Sequence, residues 1–66
     1  MKITLNGESR ELEPGLTVGQ LLDQLKLEPL RVAVEINQNL VRRATFAETP
    51  VREGDRIEIV TFVGGG

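Results

Sequence analysis

The residues of this chain that can do chemistry lie at its end, where Gly64, Gly65 and Gly66 follow an apolar, strand-like run. Glycine has no side chain to bury and loses more conformational freedom on folding than any other residue, so a terminal glycine run adds little to a core. It does provide a thin, flexible arm that ends in a carboxylate. Such an arm can enter a narrow channel in a second protein, where any Cβ would clash. The pattern therefore predicts that the functional group is the terminal carboxylate of Gly66.

A terminal carboxylate has few reactions open to it, because oxide is a poor leaving group. An ATP-using partner can convert it to an acyl-adenylate, from which a sulfur or amine nucleophile displaces AMP. The chain has no cysteine, so a side-chain thiol cannot hold sulfur that this protein carries. The carried form would be a thiocarboxylate on Gly66. The alternative interpretation of the glycine run is an ordinary disordered terminus.

The remaining composition excludes most other chemistry. The 66 residues include no histidine and no cysteine, so the usual general base, thiol nucleophile and transition-metal ligands are missing. We therefore expect a protein that is not an enzyme and that binds no metal or cofactor. Eight basic and ten acidic residues give a net charge of −2, which disfavours a nucleic-acid partner. No apolar run reaches the roughly 20 residues that span a bilayer, so we expect no membrane partner and a cytoplasmic location.

One folded domain, residues 1–63, is expected to position the flexible tail, residues 64–66. Alternation of apolar and polar residues predicts a first strand over residues 1–5. Asn6-Gly7 then predicts a hairpin turn, because both residue types tolerate positive φ. The polar segment that follows suits an edge strand.

The helix has the clearest local signals. Thr17 predicts its N-cap, and Gln20 three residues later predicts a capping box. Apolar residues at i, i+3, i+4 and i+7 form one stripe that can pack on a sheet: Val18, Leu21, Leu22 and Leu25. Pro29 is expected to end the helical region, because the residue before a proline avoids the helical conformation.

Three further strands are predicted, at about residues 31–36, 40–41 and 56–63. The segment between the last two is expected to form a helical turn that places Phe46 in the core. The first and last strands are the most apolar, so we expect them to lie side by side at the sheet centre and to run parallel. One helix over a mixed sheet of four to five strands is a two-layer α+β domain. Its parallel central pair indicates the ubiquitin-like β-grasp arrangement.

Alternation in the last strand also predicts a surface beside the tail. If Ile57 and Ile59 face the core, Val60 and Phe62 point outward. Exposed apolar residues often mark a partner surface, although single exposed apolar side chains are also ordinary. We therefore predict Val60, Phe62 and Val63 as the residues that dock a partner.

Four segments carry a resemblance to a known family. They are AVEIN at 33–37, LVRR at 40–43, GDRIEIV at 54–60 and VGGG at 63–66. In combination with the small size of the chain, they resemble the thiamine-biosynthesis sulfur carriers, a family with the ubiquitin-like β-grasp fold. The resemblance covers nearly the whole chain.

The resemblance implies that an ATP-dependent activating enzyme adenylates Gly66, with ATP consumed by that enzyme. The adenylate becomes a thiocarboxylate, with sulfur from a donor such as a persulfide, and thiazole synthase uses this sulfur for the thiazole ring of thiamine. Gly64 and Gly65 supply the slender approach to the partner's active site. Two alternatives remain at this point. One is the small sulfur-carrier subunit of molybdopterin synthase, and the other is a β-grasp RNA-binding or regulatory module with an inert tail.

Overall fold

The computed structural model describes residues 1–62, which form five strands and one α-helix. In chain order the elements are β1 (Lys2–Leu5), β2 (Glu8–Glu11), α1 (Val18–Gln24), β3 (Val32–Ile36), β4 (Asn39–Val41) and β5 (Arg56–Thr61). Two 3₁₀ turns, Pro29–Arg31 and Arg43–Thr45, lie in the connections. Residues 63–66, which include the predicted docking residue Val63 and the glycine tail, lie outside the described residues.

The strand order confirms the predicted ubiquitin-like β-grasp arrangement. The strands lie in the order β2-β1-β5-β3-β4. At the centre, β1 and β5 are parallel neighbours, whereas the other neighbouring pairs are antiparallel. β2 is an edge strand whose residues are all exposed, as its polar sequence predicts. The first strand and the last therefore meet at the middle of the sheet.

The start of α1 is also as predicted. The hydroxyl oxygen of Thr17 accepts a hydrogen bond from the backbone N–H of Gln20 at 3.2 Å. In return, the side-chain oxygen of Gln20 accepts one from the backbone N–H of Thr17 at 2.9 Å. This reciprocal pair is a capping box, which satisfies two N–H groups that a helix start otherwise leaves unpaired.

The end of α1 comes earlier than the sequence predicts. The helix stops at Gln24, and Lys26 takes a left-handed φ of 58°. The N–H of Leu27 then donates to the carbonyl of Leu22 at 2.9 Å, which is the long hydrogen bond of a Schellman motif. Sequence reasoning missed this end because glycine usually takes the left-handed position and here a lysine does. Pro29 does not end the helix but begins a 3₁₀ turn.

The core lies between α1 and one face of the sheet. Its buried residues come from the helix, the strands and the segment before β5: Ile3, Leu5, Val18, Leu21, Leu22, Val32, Val34, Phe46, Val51, Ile57 and Ile59. Phe46 follows the 3₁₀ turn Arg43–Thr45 and is only 5% exposed, so its predicted place in the core is confirmed. Strand residues that alternate with this set, such as Glu35 and Glu58, are exposed. The helix therefore covers one face of the sheet and leaves the other open.

Candidate functional site

The end of β5 carries two of the three predicted docking residues. Val60 is 60% exposed and Phe62 is 53% exposed, whereas Ile57 and Ile59 are buried in the core. The predicted division of this strand into two faces is thus confirmed as far as Phe62. The docking role of Val60, Phe62 and Val63 stays a prediction.

Strand β3 holds β5 up to the last described residue. The backbone N–H of Phe62 donates to the carbonyl of Arg31 at 2.7 Å. Val60 and Thr61 stand opposite Ala33 and Val32 in the register of the two strands. The chain that leads into the glycine tail is therefore fixed to the sheet along one side.

On its other side, β5 is paired through the side chain of Asn6. The backbone N–H of Asn6 donates to the carbonyl of Ile57 at 2.8 Å, and there β1 turns back. The Asn6 amide then extends the pairing by one step. Its oxygen accepts from the N–H of Ile59 at 2.8 Å, and its nitrogen donates to the carbonyl of Ile59 at 3.2 Å. The sequence indicated only a turn at Asn6, since no local pattern reports a hydrogen bond to a residue 53 positions away.

This role of Asn6 predicts a separable loss of stability. In the Asn6→Gly variant we expect the free energy of unfolding to fall by about 1–3 kcal/mol, because both side-chain hydrogen bonds to Ile59 are lost. Asn6→Ala should cost about 1 kcal/mol more, because Asn6 has a φ of 48° and alanine is strained in that left-handed region. Urea denaturation of the two variants and the unchanged chain measures both losses: that of the side-chain hydrogen bonds and that from backbone strain. Equal stability of all three proteins would contradict this account.

Two exposed leucines add to the apolar surface, and Leu40 lies on the open face of the sheet. Leu40 in β4 is 67% exposed and stands opposite Glu35, on the sheet face away from the helix. Leu30 is 66% exposed and lies in the 3₁₀ turn that precedes β3. Sequence reasoning missed Leu40 because Leu40 and Val41 are adjacent apolar residues in a three-residue strand. Only the register with β3 shows which of the two points outward.

Negative charge lies beside these apolar residues. Glu35 and Glu58 are directly opposite each other in the register of β3 and β5, and both are exposed. Like charges in opposed positions destabilise a sheet. Among residues 1–62, the ion pair present joins the N-terminus to Glu11, so neither glutamate forms a direct ion pair there. The open face thus combines apolar residues near the end of β5 with charges of both signs, because Arg56 lies on the same face two residues before Glu58.

The described part of the chain holds no group of three or more histidine, cysteine, aspartate or glutamate residues that could bind a metal. No helix within residues 1–62 is long and apolar enough to cross a membrane. Gly64, Gly65 and Gly66 lie outside the described residues. The described part of the candidate site is therefore strand β5, which leads toward the glycine tail.

Comparison with known proteins gives matches over the whole length of the chain. A model of the ThiS family matches residues 3–66. The crystal structure of a thiamine biosynthesis protein (ThiS) from Geobacter metallireducens superimposes with a TM-score of 0.84. The two proteins are 36% identical, and the match covers 100% of each chain.

Two sequence relatives differ in length. The sulfur carrier protein ThiS of Escherichia coli is 35% identical over 100% of both chains. A protein of Paramagnetospirillum magneticum named thiazole synthase is 42% identical over 100% of this chain. The chain spans only 20% of the length of that relative.

Proposed function

Because the chain belongs to the ThiS family of thiamine-biosynthesis sulfur carriers, we propose that it carries sulfur as a thiocarboxylate on Gly66. The sulfur is destined for the thiazole ring of thiamine. The observation that carries this proposal is the family match through residue 66, since the match includes the glycines to which the chemistry is assigned. The resemblance identified from the sequence is confirmed. The names of these relatives favour neither the molybdopterin synthase subunit nor an RNA-binding module.

The chemistry begins with activation of the Gly66 carboxylate. A carboxylate oxygen attacks the α-phosphorus of ATP within the activating enzyme, and pyrophosphate leaves. In the resulting acyl-adenylate, AMP replaces oxide as the leaving group. A persulfide donor then attacks the carbonyl carbon through its terminal sulfur, and AMP departs. A thiol reductant cleaves the acyl disulfide and leaves the thiocarboxylate on Gly66.

In this scheme the chain is the carrier, and its partners are the catalysts. It binds no cofactor, and ATP is consumed by the activating enzyme. Thiazole synthase is the proposed acceptor. The Paramagnetospirillum magneticum relative supports this choice, because a protein named thiazole synthase includes a counterpart of the whole chain. The assignment of both partners to this chain is part of the proposal.

The residues at the base of the tail are proposed to dock these partners. Val60 and Phe62, together with Val63, form the contact surface, and Gly64 and Gly65 enter the partner's channel. Two observations support this role. Val60 and Phe62 are 60% and 53% exposed although both are apolar, and hydrogen bonding of Phe62 to Arg31 holds β5 in the sheet up to the last described residue.

Thiol-specific alkylation tests the proposed function. The chain is purified from cells that also express the activating enzyme, alkylated, and analysed by intact mass and by mapping of its C-terminal peptide. The chain has no cysteine, so we expect a single adduct and expect it on Gly66. Alkylation is necessary because exchange of oxygen for sulfur changes the mass almost as much as oxidation of Met1. An unreactive tail, with an activating enzyme shown to be competent, would contradict the proposal.

A further inference from the structure

Among residues 1–62, the end of β5 has a backbone edge without a partner on the side away from β3. In the antiparallel register, Thr61 lies opposite Val32 while Phe62 donates to Arg31. This alternation directs the N–H and C=O of Ile59 and Thr61 away from β3. Ile59 is paired with the Asn6 side chain, but Thr61 lies beyond it, and no residue within 1–62 bonds to its outward backbone groups.

A groove runs beside this edge on the helix side of the sheet. It has a volume of about 310 Å³ and is bounded by β1, β2, β5 and the segment after α1. Its lining residues include Leu5, Arg10, Leu25, Leu27, Ile59 and Thr61. The groove exists because α1 stops at Gln24 and does not cover the end of β5. Thr61 is therefore exposed although it alternates with the core residues of its strand.

The groove combines leucine and isoleucine side chains with the polar residues Asn6 and Thr61 and one positive side chain. Arg10 lies opposite Ile3 in the register of β1 and β2, which puts it on the helix side of the sheet. It is the one charged residue among those that line the groove. Within residues 1–62, no carboxylate forms an ion pair with Arg10. A ligand that fills this groove and satisfies the free edge must offer backbone groups, an apolar side chain and a negative charge.

We propose that this groove binds an extended segment of thiazole synthase by strand addition, with main-chain hydrogen bonds to the N–H and C=O of Thr61. An apolar side chain of the segment packs against Leu25 and Leu27, and an acidic side chain pairs with Arg10. In strand addition, main-chain bonds supply affinity and alternate side-chain pockets supply specificity. The added strand lies beside the residues that lead into the tail, so it aligns the tail with the acceptor.

This inference rests on the proposed partnership with thiazole synthase. That protein is the chosen occupant because the Paramagnetospirillum magneticum relative of that name contains a counterpart of the whole chain in one polypeptide. In that relative, covalent linkage keeps the two surfaces at high effective concentration, so even a short added strand would remain bound there. None of the relatives described above is named as an activating enzyme that contains a counterpart of this chain.

A matched pair of proline variants tests the free edge. Thr61→Pro removes an outward N–H at the groove, and proline is tolerated on a strand where the N–H faces away from the ladder. Ser9→Pro makes the same change on the outer edge of β2, because Ser9 also directs its N–H away from the neighbouring strand β1. With purified thiazole synthase as the probe, we expect Thr61→Pro to weaken binding at least tenfold. Ser9→Pro should bind as tightly as the unchanged chain.

Amide hydrogen exchange of the unchanged chain gives a second readout that needs no variant. We expect exchange at Thr61 to slow at least tenfold in the complex. Exchange at Val60, whose N–H already bonds to β3, serves as the internal reference. Strand addition would be wrong if the unchanged chain binds, Thr61→Pro binds as tightly as Ser9→Pro, and the Thr61 amide exchanges as fast as in the free chain. The proposed function would still stand in that case. If the unchanged chain does not bind thiazole synthase at all, the partnership and the strand addition are both wrong.

Discussion

A chain without Gly65 and Gly66 is expected to form no thiocarboxylate while it folds as the full chain does. A partner channel that fits the full tail holds its adenylating groups at a fixed depth. Loss of two residues withdraws the carboxyl by about 7 Å in an extended chain, and an in-line attack on a phosphorus atom does not tolerate such a displacement. The core cluster includes no residue beyond Ile59 among those described, and glycine has no side chain to bury, so we expect the deletion to leave this core intact.

Three measurements check this prediction together. Alkylation reports the thiocarboxylate, growth of a carrier-deficient strain without thiamine reports function, and thermal unfolding reports the fold. A chain with one residue added after Gly66 serves as a control for length, since its carboxyl overshoots the same position. A bulky residue in place of Gly65 keeps the length and tests threading. Thiamine-independent growth with the truncated chain would show that the tail is not the reactive segment.

The second large effect is expected at Phe62. Its side chain is 53% exposed, and burial of an aromatic anchor at the centre of an interface is worth about 2 kcal/mol or more. We therefore expect Phe62→Ala to weaken binding to the activating enzyme by roughly 30-fold or more. Stability should change little, because the backbone of Phe62, and not its ring, makes the hydrogen bond to Arg31.

Leu40→Ala is the matched control for Phe62→Ala. Leu40 is likewise apolar and exposed on the open face, but it lies on β4, next to Glu35 and away from the tail. Titration calorimetry of both variants against the activating enzyme separates a docking surface at the tail from one that covers the whole sheet face. Equal losses for the two variants would mean that the docking surface is the whole face. Unchanged affinity for Phe62→Ala would refute docking through this residue.

The sequence predicts those parts of the fold that depend on local patterns. Alternation gives the strands, the capping box at Thr17 gives the start of the helix, and the apolar character of the first and last strands gives the parallel central pair. Lys26 shows where such reasoning stops. Its left-handed conformation carries no residue-type signal, because tertiary packing of the following leucine stabilises it where glycine is the usual choice.

The site was predicted to a smaller extent, because most of its features depend on register. The exposure of Val60 and Phe62 follows from alternation within one strand. The outward position of Leu40 and the outward direction of the Thr61 N–H follow from how neighbouring strands align, which one strand alone does not encode. The chemistry assigned to Gly66 came from residue types and from the family resemblance, and it is tested by alkylation rather than by geometry.

The pairing of β1 with β5 also sets the time at which this protein can fold during its synthesis. Within residues 1–62, β1 is the first strand and its central neighbour β5 is the last, so β5 is made long after β1. While the ribosome is still adding β5, β1 lacks that neighbour, and the sheet is split between β1-β2 and β3-β4. Such long-range pairing must close a large loop before it is stabilised. The core therefore forms only after β5 has left the ribosome, so an enzyme that recognises the folded domain cannot act on a nascent chain that still lacks β5.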